Sequence, residues 1–181
     1  MLSVTFDVNH KVLDRGVYLA KLDRMQGVCA VTLDIRLRRP YREPVMTEVE
    51  MHTFEHSYAT AIRQQMDGKE GAAVVYFGPM GCNTGFYLVF QVAAPTEEAL
   101  ERAVEQLPLE MDAAIDLLFA MKETPAANEW QCGNCYSLGD ASVSRRMGEE
   151  LRQLLSQVKE TGYTQYVRLS EEELAALGIQ Q

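Results

Sequence analysis

Apolar residues at Val31, Leu33, Ile35 and Leu37 alternate with Thr32, Asp34, Arg36 and Arg38. Period two marks a strand with one buried face, because successive side chains leave opposite sides of a pleated backbone. Residues 17–22 repeat the pattern more weakly, and 23–27 are placed to join the two strands as a hairpin. Pro40 and Pro44 break the chain. The period then changes. Val49, Phe54, Tyr58, Ala61 and Ile62 keep helical spacing, which predicts a helix capped by Thr47, running to about Met66 and closed by Asp67-Gly68. Residues 72–77 and 86–93 read as two further strands around the loop Gly78-Pro79-Met80-Gly81-Cys82-Asn83-Thr84-Gly85. Pro95 and Thr96 open a helix that Pro108 is expected to interrupt, since proline lacks an amide hydrogen and crowds the preceding turn. Its second piece runs to about Lys122. After a proline–alanine loop, a helix is expected from Gly139 to about Lys159, then a short strand-like piece and a terminal helix from Ser170.

This order of elements, with no Gly/Ser/Pro-rich linker and no internal repeat, predicts one α+β domain over residues 1–181. It would be a two-layer domain, a mainly antiparallel sheet with helices packed on one face. A chain of 181 residues is long enough to bury a proper core. The net charge of −9 argues against a nucleic-acid groove, which would carry a basic stripe. The local run Arg36-Leu37-Arg38-Arg39 lacks interleaved aromatics and reads as a solvated or anion-contacting strand end. No apolar stretch approaches the ~20 residues of a membrane span. Residues 1–11 lack the charged leader and apolar segment of a signal peptide, so the expected location is the cytoplasm. In a reducing compartment Cys29, Cys82, Cys132 and Cys135 are thiols, metal ligands or catalytic groups rather than disulfides.

The chemistry concentrates at His52-Thr53-Phe54-Glu55-His56, which holds two of the three histidines. On a helix, residues four apart lie on one face. Two imidazoles then converge on half of a tetrahedral metal site, and Glu55 stands beside them as a proton carrier. The plain alternative is a solvated helix face. A reactive metal site needs a third protein ligand and an open position. His10, Cys82, Cys132, Cys135 and downstream carboxylates are the candidates, with Gly133 allowing close backbone approach around Cys132. The alternative for Cys132 is a buried small hydrophobe. The Cys132/Cys135 pair has no second pair of similar spacing to complete a zinc knuckle. Cys82 lies in the glycine-rich loop, where exposed backbone amides can stabilise a thiolate and fit it for proton transfer. Alternatively the glycines only make a tight turn and Cys82 packs inward.

Four separated segments together resemble the signature of the S-ribosylhomocysteine lyase (LuxS) family. They are Asp34-Ile35-Arg36, His52-Thr53-Phe54-Glu55-His56, Pro79-Met80-Gly81-Cys82-Asn83-Thr84-Gly85-Phe86-Tyr87 and Pro125-Ala126-Ala127-Asn128-Glu129-Trp130-Gln131-Cys132-Gly133. The match is collinear from about residue 6 to about residue 155, which leaves 156–181 as a C-terminal extension. The resemblance implies one metal per subunit, Fe(2+) with Zn(2+) or Co(2+) as substitutes, held by His52, His56 and Cys132. It implies Glu55 and Cys82 as proton-transfer residues. It also implies a homodimer with active sites at the interface, His10 and Arg36 reaching the substrate from the neighbouring subunit. Thr5, Arg63 and Tyr76 fall at further substrate-binding positions. The implied reaction cleaves the thioether of S-ribosylhomocysteine to homocysteine and 4,5-dihydroxy-2,3-pentanedione, the autoinducer-2 precursor, by two carbonyl migrations and a β-elimination. That reaction serves the activated methyl cycle and quorum sensing. The chain departs from the family at Tyr76-Phe77-Gly78, where Asp-Ile-Ser is common, so a phenol replaces an acid near the substrate. Two other readings stand beside the lyase: a non-catalytic metal-binding relative, and a metallopeptidase of the inverted H-x-x-E-H class.

Overall fold

Residues 7–178 are described by the structure, a computed structural model. The alternating segment forms strand β2 (Val28–Arg36), which pairs antiparallel with β1 (Gly16–Met25). Helix α1 (Glu48–Met66) follows, then β3 (Ala72–Pro79) and β4 (Gly85–Ala93). The four strands make one antiparallel sheet in the order β1-β2-β4-β3. Helices α2 (Glu97–Ala120) and α3 (Ala141–Thr161) and a short α4 (Glu171–Ala176) complete the described chain, with a 3₁₀ turn at Cys135–Ser137.

Val31, Leu33 and Ile35 of β2 and Phe86, Leu88 and Phe90 of β4 point to one side of the sheet. There they share a core with Phe54, Tyr58 and Ile62 of α1, Met111 and Ile115 of α2, and Leu151 and Leu155 of α3. Burial of each such side chain is worth about 1.5–3 kcal/mol, so this layer holds the domain together. It is the expected α+β architecture with helices on one face. On the other face, Tyr18 of β1 stacks on Tyr166 with ring centroids 4.4 Å apart, and Val8 and Leu13 pack around them. Farther along that face Thr32, Tyr87 and Val89 are only partly buried, and Tyr76 is exposed.

Helix α1 starts where its sequence says it should. Thr47 accepts from the Glu50 amide while the Glu50 side chain accepts from the Thr47 amide, a reciprocal capping box. The expected break at Pro108 does not occur: α2 runs unbroken through it. Proline withholds the amide that would have bonded the Val104 carbonyl four residues back. The hydroxyl of Tyr163, beyond α3, donates to that carbonyl at 2.8 Å. Tertiary structure thus satisfies the group that the proline orphans. Two smaller differences concern boundaries. β1 continues to Met25, so the hairpin turn shortens to Gln26-Gly27. The strand-like piece after α3 contributes only isolated bridges, Val8 with Arg168 and Tyr18 with Thr164.

Candidate metal centre and thiol network

The i, i+4 spacing on α1 brings the rings of His52 and His56 edge to face, with centroids 4.7 Å apart. Each Nδ1 is engaged away from the metal position. His56 Nδ1 lies 2.9 Å from the Pro125 carbonyl oxygen, which can only accept, so Nδ1 carries the hydrogen and Nε2 the lone pair. His52 Nδ1 lies 2.6 Å from Ser137 Oγ, whose own hydrogen goes to the Asn134 carbonyl at 3.1 Å. That leaves the serine oxygen to accept, and His52 takes the same tautomer. Fixing imidazole tautomers through outer partners is how histidine ligands are oriented in metal sites.

The third donor arrives on the loop between α2 and α3. Thr53 on α1 accepts from the Gly139 amide at 2.8 Å, and Asn134 Nδ2 donates to Glu48 at 3.0 Å, tying the end of the loop to the helix. Within it, the Asn128 carbonyl accepts from the Gln131 and Cys132 amides. Cys132 Sγ comes to 3.4 Å from His52 Nε2. Ligand atoms of His52, His56 and Cys132 all lie within 4.8 Å of one another, a spacing that fits one ion. Two neutral imidazoles and a thiol suit iron, zinc or cobalt. Neither Cys82 nor Cys135 belongs to this cluster. The Glu55 side chain, partly buried on the same helix, has no hydrogen-bond or ion-pair partner among the described residues.

Cys82 sits in a second network, at the end of the sheet. Pairing of Arg36 with Gly85 brings the loop before β4 beside the end of β2. Gly85 is required there: a Cβ would stand 2.1 Å from the Ile35 carbonyl oxygen. The buried Arg36 guanidinium binds both carboxylate oxygens of buried Asp34, at 2.8 and 3.0 Å. Its Nη1 donates to Thr84 Oγ1 at 2.6 Å and reaches Cys82 Sγ at 3.4 Å. With its oxygen accepting from Arg36, Thr84 has its own hydrogen free for Cys82 Sγ, 3.1 Å away. Burial pushes the Cys82 thiol up, but the Thr84 hydroxyl and amide and the Arg36 cation outweigh it, and the thiol is held below its ordinary value. The loop also touches the start of α1, where the Met46 amide donates to the Asn83 carbonyl at 2.9 Å.

The remaining candidates are dispersed. His10 donates from Nδ1 to the Val8 carbonyl at 2.8 Å and lines a cleft of about 700 Å³ with Lys11, Tyr41, Leu169, Glu173 and Leu177. None of His52, His56, Cys132 or Cys82 lines that cleft, so the ligand cluster, not the cleft, marks the chemistry. Arg63 is exposed in the last turn of α1, its guanidinium folded back onto the Ala59 carbonyl at 3.1 Å. Tyr76 is half exposed, and its phenol lies over Gly78, where a Cβ would meet Tyr76 Oη at 2.1 Å. The tyrosine and the glycine therefore go together in this chain. Thr5 lies outside the described residues. Sequence reading missed Ser137 and Pro125, which orient the histidines, and Thr84 and Tyr166, which complete the thiol network. Thr84, two residues from Cys82 on the same loop, and Pro125, at the head of the segment that carries Cys132, stood in the motifs of the resemblance; Ser137 and Tyr166 carried no signal.

A sequence model of the S-ribosylhomocysteinase (LuxS) family matches residues 4–161. The chain belongs to the LuxS family. It is 35% identical over 156 residues to an S-ribosylhomocysteine lyase of Clostridium acetobutylicum, covering 86% of this chain and 92% of that protein. Identity to the S-ribosylhomocysteine lyases of Borreliella burgdorferi and Finegoldia magna is 30% over 156 and 155 residues, or 86% of this chain and 93% and 92% of theirs. The LuxS match takes in both the metal cluster and Cys82, and it ends at the last residue of α3. No helix among the described residues is long and apolar enough to cross a membrane.

Proposed function

We propose that the protein is an S-ribosylhomocysteine lyase, a metal-dependent carbon–sulfur lyase that releases homocysteine and 4,5-dihydroxy-2,3-pentanedione. The observation that carries this reading is a three-donor cluster built on two tautomer-fixed histidines, in a LuxS-family chain that also keeps a cation-paired thiol. A thiol as third donor disfavours the inverted-motif peptidase, which would use a carboxylate.

His52, His56 and Cys132 would hold the metal, and ferrous iron is the ion proposed, with zinc or cobalt as substitutes. When bound, the ion supplies Lewis acidity that makes protons beside a substrate carbonyl easier to remove. The sugar carbonyl begins at C1, too far from the C5 thioether for elimination. Cys82 as thiolate takes a proton from the carbon next to the carbonyl and returns one to the adjacent carbon. Glu55 moves the accompanying protons between oxygens. Two such transfers carry the carbonyl to C3. A base then takes the C4 proton and the C5–S bond breaks; the electron pair leaves on sulfur, which takes up a proton as homocysteine, and the C4–C5 enol left behind gains a proton at C5 and loses one from oxygen to become the pentanedione. No oxidant is needed.

His10, Arg36, Arg63, Thr5 and Tyr76 are the proposed substrate contacts. Arg36 has a double part, since its guanidinium is already bound to Asp34, Thr84 and Cys82. A homodimer with active sites at the subunit interface is proposed as well. The partly open sheet face around Tyr76 and Val89 supports it, as does the 97% exposure of Trp130, two residues from Cys132. The proposed setting is the cytoplasm, with the pentanedione product feeding autoinducer synthesis.

Mixing the metal-loaded protein with S-ribosylhomocysteine should release free thiol, and a chelated control should not. A protein that keeps its metal and releases no thiol overturns the assignment of substrate.

A further inference from the structure

The family match stops at residue 161, yet the chain beyond it is not idle. It turns back along the N-terminal segment and β1: the Thr164 amide donates to the Val17 carbonyl at 2.9 Å and the Leu169 amide to Asp7 at 2.7 Å. The Asn9 amide donates to Val167 at 2.9 Å in return. This path delivers Tyr166 beneath β1, stacked on Tyr18 at an interplanar angle of 8°. The Tyr166 hydroxyl then donates to Asp34 Oδ2 at 2.8 Å. Asp34 is fully buried and grips Arg36 through both oxygens, and Arg36 is the cation beside Cys82. A continuous chain of contacts therefore runs from a residue outside the family match to the candidate catalytic thiol.

We propose that Tyr166 is a positioning residue for Cys82: its phenol anchors the Asp34 carboxylate, which aims the Arg36 guanidinium at the thiol. Burial and the neighbouring Asp34 push the Tyr166 phenol up, so it stays protonated and acts as the donor. A donated hydrogen bond draws charge density from Asp34 and leaves more of the Arg36 cation available to Cys82. Removing the hydroxyl does the reverse and also frees the carboxylate to shift. The titratable or charged groups around this assembly are Arg36 from β2, Tyr18 from β1, Tyr87 from β4 and His10 from the N-terminal segment. Thr84 is the uncharged contact at the thiol. Tyr166 and Arg36 both hydrogen-bond Asp34.

The role rests on the proposed use of Cys82 as a proton carrier, but its test does not need turnover. Full-length, metal-loaded protein is alkylated with iodoacetamide across a pH series, and the Cys82 peptide is followed by mass spectrometry. Tyr166→Phe keeps the stacked ring and removes only the donor. The midpoint of Cys82 alkylation should rise by about 0.5 pH unit, which slows its modification near neutral pH about threefold. Tyr18→Phe is the matched control. It removes the phenol of the ring stacked on Tyr166, whose hydrogen goes to the Asp14 carbonyl at 3.0 Å rather than to Asp34, and it should leave the midpoint where it is. An unchanged midpoint in Tyr166→Phe, or an equal rise in both variants, overturns the positioning role. If the midpoint rises while neither wild type nor variant cleaves S-ribosylhomocysteine, the role stands and the substrate assignment fails.

Discussion

The metal cluster and the Cys82 network are built on opposite principles. The cluster is partly exposed, assembled from uncharged imidazoles and a loop thiol, and held by hydrogen bonds to the far nitrogen of each ring. The network is centred on a buried ion pair, with each of its charges met by at least two partners. A metal supplies its own charge, so its site needs only correctly aimed lone pairs. A thiol that must ionise near neutral pH has no such ion in contact and borrows a cation from the fold. That cation is buried, so it needs a buried anion, and the anion in turn needs its own donors.

The sharpest way to separate the two regions is to break each alone. Replacing His56 by Ala should empty the metal site and lower turnover by about three orders of magnitude or more. Cys82 should keep its alkylation midpoint, as a metal assay and the iodoacetamide series would show together. Cys82→Ala should do the converse, retaining a full equivalent of metal while turnover falls ~10²–10⁴-fold. An active Cys82→Ala enzyme would sink the mechanism and favour a metal-binding protein without this chemistry.

Arg36→Met strikes the network rather than the thiol. It leaves Asp34 buried without its counter-ion, which should cost about 3–5 kcal/mol in urea unfolding. It should also move the pH profile. With Arg36 present the thiol is held below its ordinary value, so activity survives as pH falls until that depressed value is crossed. Without the cation the value returns upward, and activity is lost at a higher pH. A profile that keeps its acidic limb would show that Thr84 and the loop amide suffice.

Ser137→Ala tests the other region more gently. It removes the acceptor for His52 Nδ1 and should weaken metal binding ~10–100-fold, measured by competition with a chromogenic chelator. The smallest effect is expected at the rim. Gly78→Ala would place a methyl against the Tyr76 phenol, and the half-exposed ring can swing away at a cost within about 0.5 kcal/mol. A change in KM with kcat preserved would then assign Tyr76 to substrate binding.

Much of this was open to a reader of the sequence. Alternation around Asp34 and Arg36 puts both side chains on the face opposite Leu33 and Ile35, as found. The Thr47 cap and the facing histidines follow from helical period alone. Pro108 misled because its helix is repaired from outside by Tyr163, which lies 59 residues along the chain from the Val104 carbonyl that it bonds. Ser137 was equally hidden: nothing in an irregular loop says which hydroxyl will meet an imidazole 85 residues earlier.

By itself the sequence determined what is local and periodic: the strand and helix types, the pairing of His52 with His56, the glycine-rich turn that carries Cys82, and the family to which these belong. Short-range backbone geometry decides such features, so they can be read along the chain. Only the tertiary structure decided which partners meet them. It brought Cys132 to His52, aimed Arg36 at Cys82, and folded a segment beyond the family match back to set Tyr166 on Asp34. Those contacts depend on sheet register and on how loops are tied to helices. They are set by packing across the whole core rather than by neighbouring residues.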